Sequence, residues 1–299
     1  MSAALVIGYT ATDAGADALA LGIRLARATA APLEIVLVLP DDVRSVITPA
    51  SAAYTRHVRA QADRWLAEAA QTVPDAVPHR THLRHADSTA EGLVAFADEI
   101  GAGFIVVGAA NGGIRGRHRL GTVASELLHS SDVPVVLAPE GSRRVDPSIG
   151  ISRVTAAIGS RPGADVLRAE SVALAAAASV PLRLVSLVTV DLPAGLETGA
   201  IRIAGAAHAA EVLAKAQAEL PPDVPAEVAI ADGDSIEDAV RDLPWDPAEL
   251  VMVGSSRLAR PRRLFLGSTA AKMLHELPVP LVVVPRSRAD GGPQEGARP

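Results

Sequence analysis

The stretch VVGAANGGIRGRHRLGT, residues 106–122, decides the fold because the chain contains it twice. Residues 252–268, MVGSSRLARPRRLFLGS, repeat its apolar run ending in Gly and its later Gly-(Thr/Ser) pair at identical spacing. Further matching segments flank the two copies: 33–39 with 182–188, and 133–139 with 279–285. Separations drift only from 149 to 146 residues, so the chain is a duplicated domain and not a solenoid of short repeats.

Within each half, short β-branched runs alternate with Ala-rich helical stretches. We predict strands at 4–9, 33–39, 79–85, 103–108 and 133–138, and at 152–158, 182–188, 225–231, 248–254 and 280–285. First-half helices are expected near 14–30, 50–72, 88–101 and 122–131. Strand–helix alternation predicts an α/β fold with parallel sheets built from right-handed βαβ units. The apolar runs 104–107 and 281–284 are typical of central strands, and the polar run 79–85 of an edge strand.

Composition excludes several classes of function. The 299 residues contain no Cys, so disulfides, thiolate zinc sites, iron–sulfur clusters and a Cys nucleophile are excluded. A net charge of -6 and 2% aromatic residues argue against a nucleic-acid partner. P-loop and dinucleotide-binding glycine patterns are absent. With neither a signal peptide nor a long apolar span visible, we expect a cytoplasmic protein that does not contact membranes.

Doubly wound sheets bind ligands where the carboxyl ends of their strands meet the following loops. The duplicated pattern places the same features there in each half: Gly108 and Gly254 end the fourth strands, and Gly121-Thr122 and Gly267-Ser268 open the next helices. Gly allows a ligand close to the backbone, and a helix N-terminus with its free N–H groups suits a phosphate. Gly-Thr and Gly-Ser are also ordinary helix starts, with a hydroxyl that can cap the helix.

This spacing, after the fourth strand of a small five-stranded α/β domain, resembles the Gly-x2-Gly-x9-Gly-(Ser/Thr) signature of the universal stress protein family. The resemblance implies two tandem, doubly wound open parallel sheets of strand order 3-2-1-4-5, paired through their fifth strands as a pseudo-dimer within one chain. The implied domains are 1–140 and 148–286, and we expect a disordered tail at 287–299. Some members of the family bind ATP with magnesium in this loop, and others do not.

The chain departs from the ATP-binding pattern at two places in each half. Asn111 and Arg257 replace the middle glycine; Asn tolerates a left-handed backbone, whereas the Arg side chain either pairs with a phosphate or fills the cleft. Nucleotide-binding members carry an Asp at the end of the first strand, where we match Thr10 and Ile158. Since Thr10 keeps a hydroxyl and Ile158 has none, we expect the first half to be the better nucleotide site.

The resemblance implies a stress-response module with a degenerate adenine-nucleotide site. Two alternatives remain open: a nucleotide-free scaffold of the same fold that acts through protein contacts, and a slow ATPase or nucleotide-transfer enzyme. No catalytic residue or metal-ligand set is identifiable, so an enzyme is the weakest of the three. The expected partners are an adenine nucleotide and an unidentified protein, and the chain is expected to be a monomer or a homodimer.

Overall fold

The computed structural model describes residues 3–41, 52–109, 120–160, 163–189, 199–222, 224–255, 264 and 266–286. The first half contains β1 (Leu5–Gly8), α1 (Asp13–Thr29), β2 (Leu33–Pro40), α2 (Ala52–Gln71), β3 (His79–Ala86), α3 (Thr89–Ile100), β4 (Phe104–Gly108), α4 (Thr122–Ser130) and β5 (Val135–Ala138). The second half contains β6 (Arg153–Ala157), α5 (Ala164–Ala178), β7 (Leu182–Thr189), α6 (Gly199–Ala218), β8 (Ala226–Gly233), α7 (Ile236–Arg241), β9 (Glu249–Gly254), α8 (Ser268–Glu276) and β10 (Leu281–Val284). The expected disordered tail, 287–299, lies outside the described residues.

The described strands form one ten-stranded sheet in the order β3-β2-β1-β4-β5-β10-β9-β6-β7-β8. Each half therefore has the strand order 3-2-1-4-5, with parallel pairing throughout. The halves meet where β5 pairs antiparallel with β10, with Val136 opposite Val282. The predicted α/β fold and the pairing of the fifth strands are confirmed. The polar strand β3 lies at one edge, as predicted, and β8 lies at the other.

Two apolar cores cover the two faces of the sheet, and each runs through both halves. One packs α1, α2, α5 and α6 against side chains such as Ile7, Val106 and Met252. The other packs α3, α4, α7 and α8 against the alternate side chains of the same strands, such as Ile105 and Val251. Because both faces of the central strands are covered, β1, β4, β5 and β10 carry no polar side chain.

The segment between the halves is fixed to α1 by two buried charged side chains. Asp17, 1% exposed, accepts hydrogen bonds from the backbone N–H groups of Gly141 and Arg143, at 3.0 and 2.8 Å, and pairs with the Arg143 guanidinium at 2.7 Å. Arg24 donates two N–H groups to the carbonyl of Gly150, at 3.0 and 2.9 Å. The inter-domain segment thus has a fixed path across the first half.

A buried charge network lies at the amino ends of the second-half strands. The Glu249 carboxylate accepts N–H groups from Arg153 and Arg183, each at 2.7 Å, and a hydrogen bond from the Thr155 hydroxyl. The Arg183 guanidinium also lies 4.9 Å from the centre of the Trp245 ring. Burial lowers the pKa of Arg183. The pKa of Arg153 is raised, mainly by the hydrogen bond that Arg153 donates to Glu249. Parallel strands place these charges at the edge opposite the predicted ligand site.

Candidate functional site: a cavity in the second half

The carboxyl edge of the first half is closed by helix α1. A Cβ atom added to Gly108 would overlap the carbonyl group of Ala14, and one added to Gly15 would overlap the carbonyl group of Thr10. Both glycines therefore allow close packing of the first turn of α1 against the ends of β1 and β4. The backbone of α1 therefore occupies the space beside Gly108 where the sequence predicts a ligand.

The polar groups of this edge serve the helix start. The Thr12 hydroxyl caps α1 by accepting the N–H of Gly15 at 3.4 Å, and it lies 2.9 Å from the Thr10 hydroxyl. Thr10 is thus already paired within the loop. Burial raises the pKa of the neighbouring Tyr9 hydroxyl, and the charge of Glu68 adds to the effect, so Tyr9 stays neutral at physiological pH.

The equivalent edge of the second half is open. Among the described residues, a Cβ atom added to Gly254 would have Leu167 as its nearest neighbour, at 3.9 Å, and one added to Gly159 would have no neighbour within 4 Å. Helix α5 begins at Ala164, three residues later than α1 when Gly15 and Gly163 are matched. A cavity of about 350 Å³ occupies this edge and is lined by residues from β6, β7, β9, α5, α6, α7 and α8.

The lining of the cavity is mostly apolar and carries few polar groups. Apolar walls come from Ile158, Leu167, Val212 and Met273, and polar atoms from Ser160, Ser186, His208, Ser255 and Thr269. None of the described lining residues is Asp, Glu, Lys or Arg. A volume near the lower end of the range for small-molecule pockets, with a few polar groups in an apolar wall, suits a nucleoside-sized ligand.

Both predicted phosphate-type helix starts have the same local geometry. Gly121 and Gly267 are the N-cap residues of α4 and α8, with extended backbones and no side-chain capping hydrogen bond. Thr122 and Ser268 are the first residues of the helices, and both are exposed. The hydroxyls therefore do not occupy the capping position that the sequence allowed for them. Of the two glycines, Gly267 lines the cavity.

Strand register changes one of the sequence matches. Gly8 pairs with Val36, and Ala157 pairs with the equivalent Val185, so the next residue, Ile158, corresponds to Tyr9 and not to Thr10. The other neighbours of β1 and β6 give the same register. The match of Ile158 with Thr10 is therefore wrong. The true equivalent of Thr10 is Gly159, because the loop after β6 is one residue shorter than the loop after β1.

The structure thus brings together only part of the predicted set. Gly254 and Gly267 line the cavity, with Ser268 next to it, whereas Thr10 and Gly108 lie at the closed edge of the first half. Asn111 and Arg257 lie outside the described residues. Ser186 and His208 were not identified from the sequence. For Ser186 a signal exists, because the repeat matches it with the apolar Leu37.

Two other kinds of feature are not found in the described ranges. They contain no helix long and apolar enough to cross a membrane. They also contain no group of three or more His, Cys, Asp or Glu side chains placed to hold a metal ion. His82, in the edge strand that carries three His residues, hydrogen-bonds Glu34 at 2.6 Å.

The universal stress protein family model matches this chain twice, at residues 1–139 and 150–285. Universal stress proteins of Mycobacterium tuberculosis and Mycobacterium bovis are 28% identical to it over 94% of this chain and 99% of their own. A universal stress protein structure from Archaeoglobus fulgidus, 18% identical, covers 95% of this chain and 98% of its own with a TM-score of 0.67. A functionally unknown protein from Pseudomonas aeruginosa, 16% identical, covers 88% and 85% with a TM-score of 0.53. Since the family model spans both halves, the chain belongs to the universal stress protein family, as a tandem member.

Proposed function

We propose that the chain is a stress-response module that binds one adenine-type nucleotide, ATP with magnesium being the first candidate, in the cavity of its second half. The observation that carries this proposal is the cavity itself. It lies at the carboxyl ends of β6 and β9, where doubly wound sheets bind their ligands, and it includes the Gly267 start of α8. The nucleoside would enter the cavity, and the phosphates would face the N–H groups of that helix start.

The first half supports the proposal by contrast. Its glycine pattern is the same, yet the first turn of α1 fills the space beside Gly108. We therefore assign the first half a structural role: it supplies the other half of the sheet and anchors the inter-domain segment. A nucleotide-free scaffold acting through protein contacts is the second candidate function for the whole chain, because one of its two sites is already closed.

Affinity in this site is expected to be modest. Gly159 stands where nucleotide-binding members of the family carry a carboxylate, so one charged hydrogen bond to the nucleoside is missing. Hydrogen bonds to charged groups contribute about 1.5–3 kcal/mol, which corresponds to roughly ten- to a hundredfold in dissociation constant. Hydrolysis would also need a general base; the described lining offers the imidazole of His208 for it but no carboxylate.

Calorimetric titration with ATP and Mg²⁺ tests the proposal, with Gly267→Val and Gly121→Val as a matched pair of variants. Both glycines have negative φ values, −73° and −79°, so Val does not strain the backbone. We expect one nucleotide per chain, loss of binding in Gly267→Val and unchanged binding in Gly121→Val. Loss only in Gly121→Val would move the site to the first half. Absence of binding at millimolar ATP would favour the scaffold.

A further inference from the structure

Ser186 is a polar residue in the wall of the second-half cavity. It lies in β7, is 6% exposed, and lines the cavity of the second half. Within the described part of the chain, its hydroxyl has no hydrogen-bond partner. The hydroxyl is not among the fully buried polar atoms that lack a partner, so it is open to the cavity and free to bond a ligand there. A ligand that fills the cavity would supply the missing partner.

The first half shows which residue occupies the equivalent position where there is no cavity. Ser186 is equivalent to Leu37 of β2, since the two strands align without a gap. Leu37 is 5% exposed and belongs to the core of the first half. The second half therefore has a small polar side chain where the first half has a large apolar one, at the edge where only the second half is open.

The rest of the lining defines what chemistry Ser186 can meet. Leu167, Val212 and Met273 give the cavity apolar walls, and no described lining residue carries a fixed charge. A charged group buried against these described residues would lose its hydration without a counter-charge among them, at a large cost in free energy. A neutral, flat heterocycle fits, because it presents apolar faces to such walls and polar atoms at its edge.

We infer that Ser186 is the specificity-determining residue of the second-half cavity, where its hydroxyl hydrogen-bonds the polar edge of a neutral nucleobase. This inference rests on the proposed nucleotide function and adds which part of the ligand is buried and what recognises it. The phosphates stay at the mouth, near Gly267, and the base lies deepest, between the apolar walls and Ser186. The serine hydroxyl both donates and accepts, so it meets either kind of edge atom.

The test uses the full chain, with ATP and Mg²⁺ and with adenosine as probes of the whole nucleotide and of its base-bearing part. Ser186→Ala removes only the hydroxyl and is expected to raise the dissociation constants of both probes about 3- to 10-fold, the range for one neutral hydrogen bond. Ser186→Leu also fills the space and is expected to abolish binding of both. Leu37→Ser, the reverse change in the first half, is the control and should leave both dissociation constants unchanged.

Circular dichroism and thermal unfolding show whether each variant is folded, and Ser186→Ala, the milder change, keeps the test usable if Ser186→Leu does not fold. Unchanged affinity for both probes in Ser186→Ala would overturn this inference and leave the proposed function standing. Wild-type protein that fails to bind ATP at millimolar concentration would overturn the proposed function and this inference with it. Loss of ATP binding in a folded Leu37→Ser variant would show that the base is recognised in the first half, which contradicts this inference.

Discussion

A methyl group added at Gly108 should destabilise the protein far more than one added at Gly254, although the two glycines occupy equivalent positions. In Gly108→Ala the new Cβ overlaps the Ala14 carbonyl group, which belongs to the backbone of α1 and not to a flexible side chain. The helix must shift off the sheet, and overpacking of this kind costs about 1–3 kcal/mol. In Gly254→Ala the nearest atom, on Leu167, is 3.9 Å away, an ordinary van der Waals contact.

Thermal unfolding of the two variants beside wild type measures the difference. For a unit of this size each 1 kcal/mol lowers Tm by about 2–4 °C, so we expect a fall of roughly 2–12 °C for Gly108→Ala and little change for Gly254→Ala. Urea unfolding provides an independent measure of the same free energies. Equal Tm shifts in the two variants would refute the reasoning, because they would show that α1 does not close the first half as described.

Three further predictions concern the buried charges and the inter-domain segment. Glu249→Gln removes the anion from the buried Arg183 guanidinium and from the partly exposed Arg153 guanidinium, and it should lower the free energy of unfolding by about 3–5 kcal/mol in urea denaturation. Glu227→Gln, at an exposed position, should change it little. Hydrogen bonds from the Ala248 N–H and the Ser152 hydroxyl lower the pKa of Asp246 in the folded protein, so the charged carboxylate stabilises the fold at pH values above its pKa in the unfolded chain. Asp246→Asn should therefore destabilise the protein at pH 7. The difference from wild type should vanish as the pH falls through the pKa of Asp246 in the folded protein. Asp17→Ala should speed tryptic cleavage in the inter-domain segment, and Asp165→Ala, the exposed equivalent, should not.

The fold could be predicted because its signals are periodic and occur twice. Continuous apolar runs such as 104–107 fix central strands, and a repeated order of strands and helices fixes a repeated domain. The clamp on the inter-domain segment could not be predicted in the same way. Asp17 and its equivalent Asp165 stand in the same Gly-Ala-Asp sequence, yet one is buried against the segment and the other is exposed. That difference depends on contacts 124 residues away along the chain.

The sequence pattern also could not predict that the carboxyl edge is closed in the first half and open in the second. Gly108 and Gly254 have the same neighbours in the motif, and a pattern of residue types cannot show that α1 begins three residues earlier than α5 relative to their shared Gly-Ala-Asp. From the sequence, the hydroxyl of Thr10 favours the first half as the nucleotide site. The geometry favours the second half, because a ligand needs space in the site before it can form a hydrogen bond there.

The match of Ile158 with Thr10 failed for a reason that also locates recognition in the second half. Loops absorb insertions and deletions, but strands do not, since a shift of one residue turns every side chain to the other face of the sheet. The register of β6 against both its neighbours therefore outweighs a match made from residue types in the loop alone. With Gly159 at the position of the lost carboxylate, the end of β6 offers no side chain there to a ligand. A polar group for the base must come from a neighbouring strand, and β7 supplies it at Ser186.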